Sequence, residues 1–334
     1  MTNLLRRKRE RTGLTQAELA ERAGVSRQLV GTVESGRHQP RVDAALALAA
    51  ALDISVEALF PQPRRALDAL TGMPPGDGEL VRFGRVGEQV VTAATRVGSD
   101  GWDVADGVIE NGELVAFGHD PPSFVVAGCE PGLEVLERLL REQGIGAVSV
   151  TASSVVALEA LRHGRVHAAV VHGPKGCLPP QPKETPVTRF QLTQWDVGLC
   201  GPPGVSTGLW RDALAGRSRV VQREPGAQAQ NTFARALTSP GATVAGPRVG
   251  SHVEAARAAI WGGLAGVTIE PAALAVGAEF HQLATHEAQL WIDTRWLDAR
   301  PATEALNLLA SARFQRILSA VGGYELASCG SNAS

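Results

Sequence analysis

The sequence predicts an all-α N-terminal unit followed by an α/β unit of two lobes, and three observations carry that expectation. As far as Phe60, short amphipathic helical runs are separated by Gly or Pro. From Leu80 to Phe117, short β-prone runs (Leu80 to Phe83, Gln89 to Ala93, Gly107 to Ile109, Leu114 to Phe117) alternate with turn signals such as Asn111-Gly112 and Asp100-Gly101. From Ser123 the rhythm becomes strand then helix, which argues for parallel β-α-β units. The 334 residues exceed one ordinary core. The expected organisation is a helical unit over 1–62, a linker and β-rich connecting region over 63–121, a two-lobed α/β unit over 122–326 and a disordered tail over 327–334. Pro61-Gln62-Pro63-Arg64-Arg65 opens the linker.

Each α/β element can be placed in order. The first lobe takes a strand at Phe124 to Ala127, a helix at Leu133 to Gln143, a strand at Ala147 to Val150, a helix at Val155 to His163 and a strand at Ala168 to Val171. A second set follows: strands at Trp195 to Cys200, Arg219 to Gln222 and Gly266 to Ile269, with helices at Ala227 to Leu237, Val253 to Trp261 and Thr303 to Ala320. Two lobes are expected here rather than one continuous sheet.

Charge is unevenly shared. Residues 1–65 carry eleven Lys+Arg against seven Asp+Glu, and the remainder carries 21 against 27, so the small unit is the basic one. The four cysteines (Cys129, Cys177, Cys200, Cys329) form no C-x-x-C pair, which favours reduced thiols and a cytoplasmic protein. No apolar stretch of about 18 residues is present, and the basic start lacks an apolar run behind it, so no membrane partner is expected.

Within the basic unit, Thr15 can cap a helix, Glu18 follows at the spacing of a capping box, and Leu19, Ala20 and Ala23 form its apolar stripe. Gly24-Val25 turns the chain, and Ser26 caps a second helix from Arg27 to Ser35. Leu29, Val30 and Val33 face inward there, leaving Arg27, Gln28, Gly31 and Thr32 outside. Two short helices about a Gly turn fit a major groove. Arg reads guanine edges and Gln adenine edges, while Ser, Thr and Arg37 reach phosphates. The run Thr15-Gln16-x-x-Leu19-Ala20-x-x-Ala23-Gly24-Val25-Ser26-x-x-x-Val30-x-x-x-Glu34-x-Gly36-x-x-x-Pro40 resembles the Cro and lambda-repressor-like helix-turn-helix family, also called the xenobiotic response element family. The resemblance implies five helices and a DNA-reading set of Gln16, Ser26, Arg27, Gln28, Thr32 and Arg37. A protein-binding module is the alternative use of the same helices.

Residues 123 to 326 resemble the substrate-binding domain of the molybdate-type periplasmic-binding-protein superfamily. The carrying residues are Val125-Val126-Ala127-Gly128-Cys129-Glu130-Pro131, Ser153-Ser154 before Ala157-Leu158, Ala168-Ala169-Val170-Val171-His172, Arg223-Glu224-Pro225-Gly226-Ala227 and Ser251-His252-x-Glu254-Ala255-Ala256. The resemblance implies ligand in a cleft between two lobes. Independently, these loops lie where strands end and helices begin, and helix N-termini attract anions. The candidate ligand residues are Cys129, Glu130, Ser153, Ser154, His172, Arg223, Gln228, Asn231, Ser251 and His252. Capping, ion pairing and burial are competing uses for each.

No nucleophile elbow, P-loop, H-E-x-x-H or dinucleotide fingerprint occurs, so no catalytic residue, metal or cofactor is assigned. The expected function is a DNA-binding transcription regulator controlled by a small ligand, such as an oxyanion like molybdate or tungstate or a small carboxylate. It would act as a homodimer on double-stranded DNA. A second domain serving only oligomerisation or partner contact, and an enzyme with a DNA-binding anchor, remain the alternatives.

Overall fold

Five short helices fill the first sixty residues, and side-chain caps start two of them. The structure, a computed structural model, describes residues 4–60, 65–95, 97–98, 101–102, 104–118, 123–239, 241 and 243–333. Pro61-Gln62-Pro63-Arg64 and Asp100, read above as linker and turn signals, lie outside the described residues. The chain divides into two compact units, Met1–Arg64 and Arg65–Ser334.

The first unit comprises α1 (Leu4–Arg11), α2 (Gln16–Arg22), α3 (Arg27–Glu34), α4 (Val42–Ala51) and α5 (Val56–Leu59). The Thr15 hydroxyl accepts from Glu18 N at 3.2 Å while the Glu18 carboxylate accepts from Thr15 N at 2.7 Å, closing the capping box. Gly24 adopts φ +65°, a left-handed conformation that glycine takes without strain and that reverses the chain between α2 and α3. Leu5, Leu19, Ala20, Val30, Val33, Leu48, Leu52 and Leu59 form the core, with Val25 and Leu29 half-buried against it. Thr15→Ala is expected to cost the first unit about 1 kcal/mol, the usual worth of such a cap. Faster hydrogen exchange at the α2 amides would show it, and unchanged protection would discount the cap.

Sequence spacing could not show the polar pair beneath these helices. Arg9 on α1 donates from Nε to Glu34 Oε1 at 2.6 Å and from a second guanidinium nitrogen to Oε2 at 3.1 Å, while Gln16 Nε2 donates to Oε2 at 2.8 Å. Burial alone would raise the Glu34 pKa, but the Arg9 and Gln16 hydrogen bonds outweigh it and hold the carboxyl below its usual range.

The second unit opens with β1 (Ala66–Asp68), β2 (Leu80–Val86), β3 (Gln89–Ala94), β4 (Val97–Gly98), β5 (Gly101–Trp102), β6 (Gly107–Glu110) and β7 (Glu113–Ala116). Five of them form a sheet in the order β1-β3-β2-β6-β7, with β4 and β5 paired separately. This region was expected as a connector, yet it shares the core of the second unit. Val86, Val91 and Ala93 are buried with Val125, Val148 and Trp291. A Cβ on Gly84 would meet Val125 Cγ2 at 2.7 Å, so glycine there lets β2 lie against the strand that carries Ser123 and Val125.

The remaining elements are β8 (Ser123–Ala127), α6 (Gly132–Glu142), β9 (Gly146–Val150), α7 (Ser154–Arg162), β10 (Ala168–Pro174), β11 (Val187–Gly201), α8 (Thr207–Leu214), β12 (Val220–Arg223), α9 (Gln228–Ala236), β13 (Arg248–Val249), α10 (His252–Gly262), β14 (Ala265–Ile269), α11 (Glu270–Ala275), β15 (Glu279–Asp293), α12 (Arg300–Leu309) and α13 (Ala312–Val321). Eight strands join in the order β13-β12-β14-β11-β15-β10-β8-β9. The expectation of separate sheets is corrected here. Two antiparallel 15-residue strands, β11 and β15, are long enough to serve both lobes. One end of the pair meets β10 through His286 to Ile292, and the other meets β14 through Val197 to Cys200.

Two further expectations change. The helix foreseen from Thr303 to Ala320 is two, because the Ser311 hydroxyl accepts from Phe314 N at 3.2 Å and starts α13 afresh. The segment foreseen as a disordered tail is tied to β11: Gln191 N donates to Ser331 O at 2.8 Å, Gly330 N to Gln191 O at 2.8 Å and Ala333 N to Arg189 O at 2.9 Å. Cys329 is buried beside it. Among the described residues, no helix is long and apolar enough to cross a membrane.

Candidate functional site

In the first unit, α3 carries its polar residues outward. Arg27, Gln28 and Arg37 are exposed and Thr32 is half-buried. Together with Gln16, Gly31 and Ser35 these four line a shallow surface concavity, which gathers the expected nucleic-acid residues except Ser26. Ser26 is exposed at the head of α3, where its hydroxyl accepts from Leu29 N at 3.1 Å. Gln16 is committed through its amide to Glu34.

In the second unit, the crossing strands and the strand ends of both lobes meet in a buried polar cluster. His172 lies on β10, Trp195 on β11, His252 at the start of α10 and His286 on β15, and all four are nearly or wholly inaccessible. The His172 ring centroid is 5.1 Å from Trp195, 6.4 Å from His252 and 6.0 Å from His286, and the indole also lies 6.3 and 5.8 Å from the latter two. Arg223, at the end of β12, is 1% exposed. Its guanidinium binds Glu224 through Nε at 3.1 Å and Nη2 at 3.0 Å, and Nη2 also reaches Gly250 O at 2.9 Å and Cys129 Sγ at 3.3 Å. The last contact joins a second-lobe arginine to a first-lobe thiol.

Five buried nitrogens in this cluster have no hydrogen-bond partner: Arg223 Nη1, His172 Nδ1, both ring nitrogens of His252, and His286 Nδ1. Buried polar atoms are ordinarily satisfied, so this concentration makes the cluster the candidate polar site of the second unit. Burial, then the neighbouring His286 and Arg223, push His172 down to about 3, and burial and Arg235 take His286 to about 4. His252 falls well below its usual value from burial, with Arg223 and the other two histidines adding to the effect. The rings are neutral, and Arg223 is the cation among them. No group of three or more His, Cys, Asp or Glu is arranged to hold a metal ion among the described residues.

The other expected ligand residues are placed differently. Glu130 presents no free oxygen: Oε1 accepts from Gly132 N at 2.9 Å and Tyr324 Oη at 3.0 Å, while Oε2 accepts from Trp195 Nε1 at 2.6 Å and Thr193 Oγ1 at 3.3 Å. It acts as a clamp that fixes Trp195 rather than as a ligand contact. Burial raises the Cys129 thiol pKa against the opposing charge of Arg223, so it is no ready nucleophile. The Ser154 hydroxyl accepts from His172 N at 3.1 Å, placing it against the cluster. Ser153 and Ser251 cap α7 and α10 by accepting from Val156 N and Glu254 N. No hydrogen bond joins the half-buried Gln228 or Asn231 side chain to the cluster among the described residues.

His286 was missed by sequence reasoning, as were Thr232, whose hydroxyl lies 3.0 Å from His286 Nε2, and Tyr324. One signal for His286 exists. The stretch from Glu279 to Asp293 lacks Gly and Pro and sets His286, Glu287 and Gln289 among apolar residues, which is the composition of a strand with polar groups turned into a site.

Comparison with known proteins then fixes the family. The model of a helix-turn-helix domain matches residues 1–59, and the PBP superfamily domain matches residues 137–310, more than half of the chain. An uncharacterised HTH-type transcriptional regulator of Methanothermobacter thermautotrophicus is 48% identical over 52 residues, covering 16% of this chain and 75% of that protein. The restriction-modification controller protein C.AhdI of Aeromonas hydrophila is 41% identical, over 17% of this chain and 88% of that one, with a TM-score of 0.17. An ABC-type phosphate transport receptor from Vibrio cholerae is 11% identical over 61% of this chain and 99% of that one, with a TM-score of 0.43. The chain belongs to the PBP superfamily, and its first 59 residues belong to the helix-turn-helix transcription regulators.

Proposed function

We propose that this protein is a cytoplasmic, homodimeric regulator that binds double-stranded DNA through α3 and is controlled by a small anion held in the cluster around Arg223. The observation that carries the ligand half is the set of five unpartnered buried nitrogens beside one buried guanidinium. A small oxyanion or a small carboxylate matches that set in chemistry, because each offers several acceptor oxygens to N–H donors. The DNA half rests on Arg27, Gln28, Thr32 and Arg37 lying together on one surface of the basic unit. In a homodimer the two α3 helices would enter half-sites about 34–36 Å apart. Anion binding would shift DNA affinity by no more than its differential affinity for the two arrangements, typically about 1–3 kcal/mol.

The test is fluorescence anisotropy of the full chain on its operator duplex, titrated with and without phosphate, sulfate, molybdate and glycolate. At least one anion is expected to change the apparent DNA affinity several-fold. No change with any anion that binds the protein would favour a domain serving oligomerisation alone. On the same duplex, Arg27→Ala is expected to lose about 1–3 kcal/mol of specific affinity, whereas Arg37→Ala should chiefly flatten the salt dependence. Equal operator affinity of the Arg27 variant and the native protein would remove Arg27 from the reading set.

A further inference from the structure

The contacts of His286 reveal which of its nitrogens carries the proton, and that limits what can complete the cluster. His286 Nε2 lies 3.0 Å from Thr232 Oγ1. The same oxygen lies 3.0 Å from the backbone carbonyl of Gln228, one turn earlier in α9. A carbonyl only accepts, so the Thr232 hydroxyl donates to Gln228 O, and its oxygen is left to accept from His286 Nε2–H. A neutral imidazole holds a single N–H. His286 Nδ1 is therefore a bare lone pair, buried and unpartnered.

The surroundings keep the ring in that state. Arg235 on α9 acts on it, the His172 and Trp195 rings stand 6.0 and 5.8 Å away, and a proton on it would oppose one on His252. The adjacent Glu287 carboxylate is engaged by Gly176 N–H at 2.9 Å. His252, with both nitrogens free, offers one N–H and one lone pair in either tautomer. The cluster thus presents donors, from Arg223 Nη1 and His252, together with at least two acceptors.

We infer that the anion of this cluster carries a hydroxyl beside its charged oxygens, its charge held by Arg223 Nη1–H while its O–H donates to the His286 lone pair. This chemistry is shared by a 2-hydroxycarboxylate and by an oxyanion retaining one proton. The inference rests on the cluster being an anion site. A fully deprotonated tetrahedral oxyanion would set an oxygen against the lone pair, and leaving a buried acceptor unpaired is costly.

Two pairs of probes isolate the hydroxyl. Hydrogenphosphate and sulfate share shape and charge at about pH 8, above the second ionisation of phosphate, and differ by one proton. Glycolate and acetate differ by one hydroxyl. Titration calorimetry of the full chain is expected to show the hydroxyl-bearing member of at least one pair binding about tenfold tighter or better, the pair showing the preference naming the ligand class. Thr232→Val removes the oxygen that fixes the tautomer, lets the proton move to Nδ1, and should bring the preference down towards parity. Imidazole nitrogen NMR of the native chain should find the His286 proton on Nε2.

Sulfate or acetate binding as tightly as its partner would overturn the inference and leave the anion site standing. A proton on Nδ1, or an undiminished preference in the Thr232 variant, would overturn it as well. If none of the four anions bound, the anion reading itself would fall.

Discussion

Arg223→Met is expected to weaken anion binding by the full chain about thirtyfold or more, measured by calorimetry with whichever of phosphate, sulfate, molybdate or glycolate binds the native protein most tightly. Arg223 is the buried cation of the cluster and keeps one guanidinium nitrogen unpartnered. Removing one member of a desolvated charge pair costs about 2–5 kcal/mol, and each 1.4 kcal/mol is about tenfold in affinity. Methionine keeps the length of the stem, and the Glu224 side chain is 35% exposed, so water can take over its charge without collapse of the fold. Arg223→Lys restores the charge but not the planar fork that serves Glu224 and Gly250 together, so it should recover only part of the loss. An unchanged dissociation constant for the methionine variant would move the anion away from Arg223.

The same residue shows how binding could be sensed within the second unit. Arg223 ends β12, whereas Cys129 follows β8, and their contact joins the two lobes. Glu130, next to Cys129, fixes Trp195 on a crossing strand and holds Tyr324 of the C-terminal segment. An anion at Arg223, as proposed, would therefore act on elements of both lobes and, through Trp195 and Glu130, on residues that follow α13.

Sequence information was sufficient where the determining contacts are local. The capping box of Thr15 and Glu18 and the Ser26 cap place α2 and α3 because each needs only three residues of spacing. The strand ends that deliver His172, Arg223 and His252 were legible for a similar reason, since a strand running into a helix start is written in a short stretch of chain. Long-range pairing was not legible. Arg9 meets Glu34 across 25 residues, and Glu130 meets Tyr324 across 194, so its acceptors were already committed to protein donors when sequence alone made it a ligand contact.

β15 was missed for another reason. Its first half is partly exposed and its second half wholly buried, so no single periodicity runs through it, and His286 went with it. The residues at 327–333 carry no strand pattern and gain their order from contacts distant in sequence, with β11 and with Leu309 at the end of α12.

Acid is expected to destabilise the second unit through the three histidines of its cluster and through the buried His167, which packs against Phe124 and Trp296. His167 and His286 are held at about 4 and His172 at about 3, in each case chiefly by burial, and His252 lies well below the usual 6.5. The unfolded chain takes up protons on these rings near pH 6.5, and the folded chain does not until about 4 or lower. The unfolded state thus binds more protons throughout that window, so stability is full above pH 6.5 and falls as the pH drops through it. Each ring contributes about 1.4 kcal/mol per pH unit. Glu130 works in the opposite sense, because burial raises its pKa in the fold, and one carboxyl can offset at most one of the four rings. At about pH 5.5 the net loss is therefore about 4 kcal/mol, a large part of a typical domain's stability. Every tryptophan lies beyond residue 100, so urea unfolding followed by indole fluorescence at about pH 7.5 and 5.5 reports on the second unit. Equal midpoints at the two values would mean the rings are not held neutral. A bound anion should reduce the acid sensitivity, because its charge raises the pKa of the three cluster imidazoles towards that of the unfolded chain. Phosphate at saturation is thus expected to rescue stability at pH 5.5 by more than it adds at pH 7.5, a difference that nonspecific salt screening would not produce.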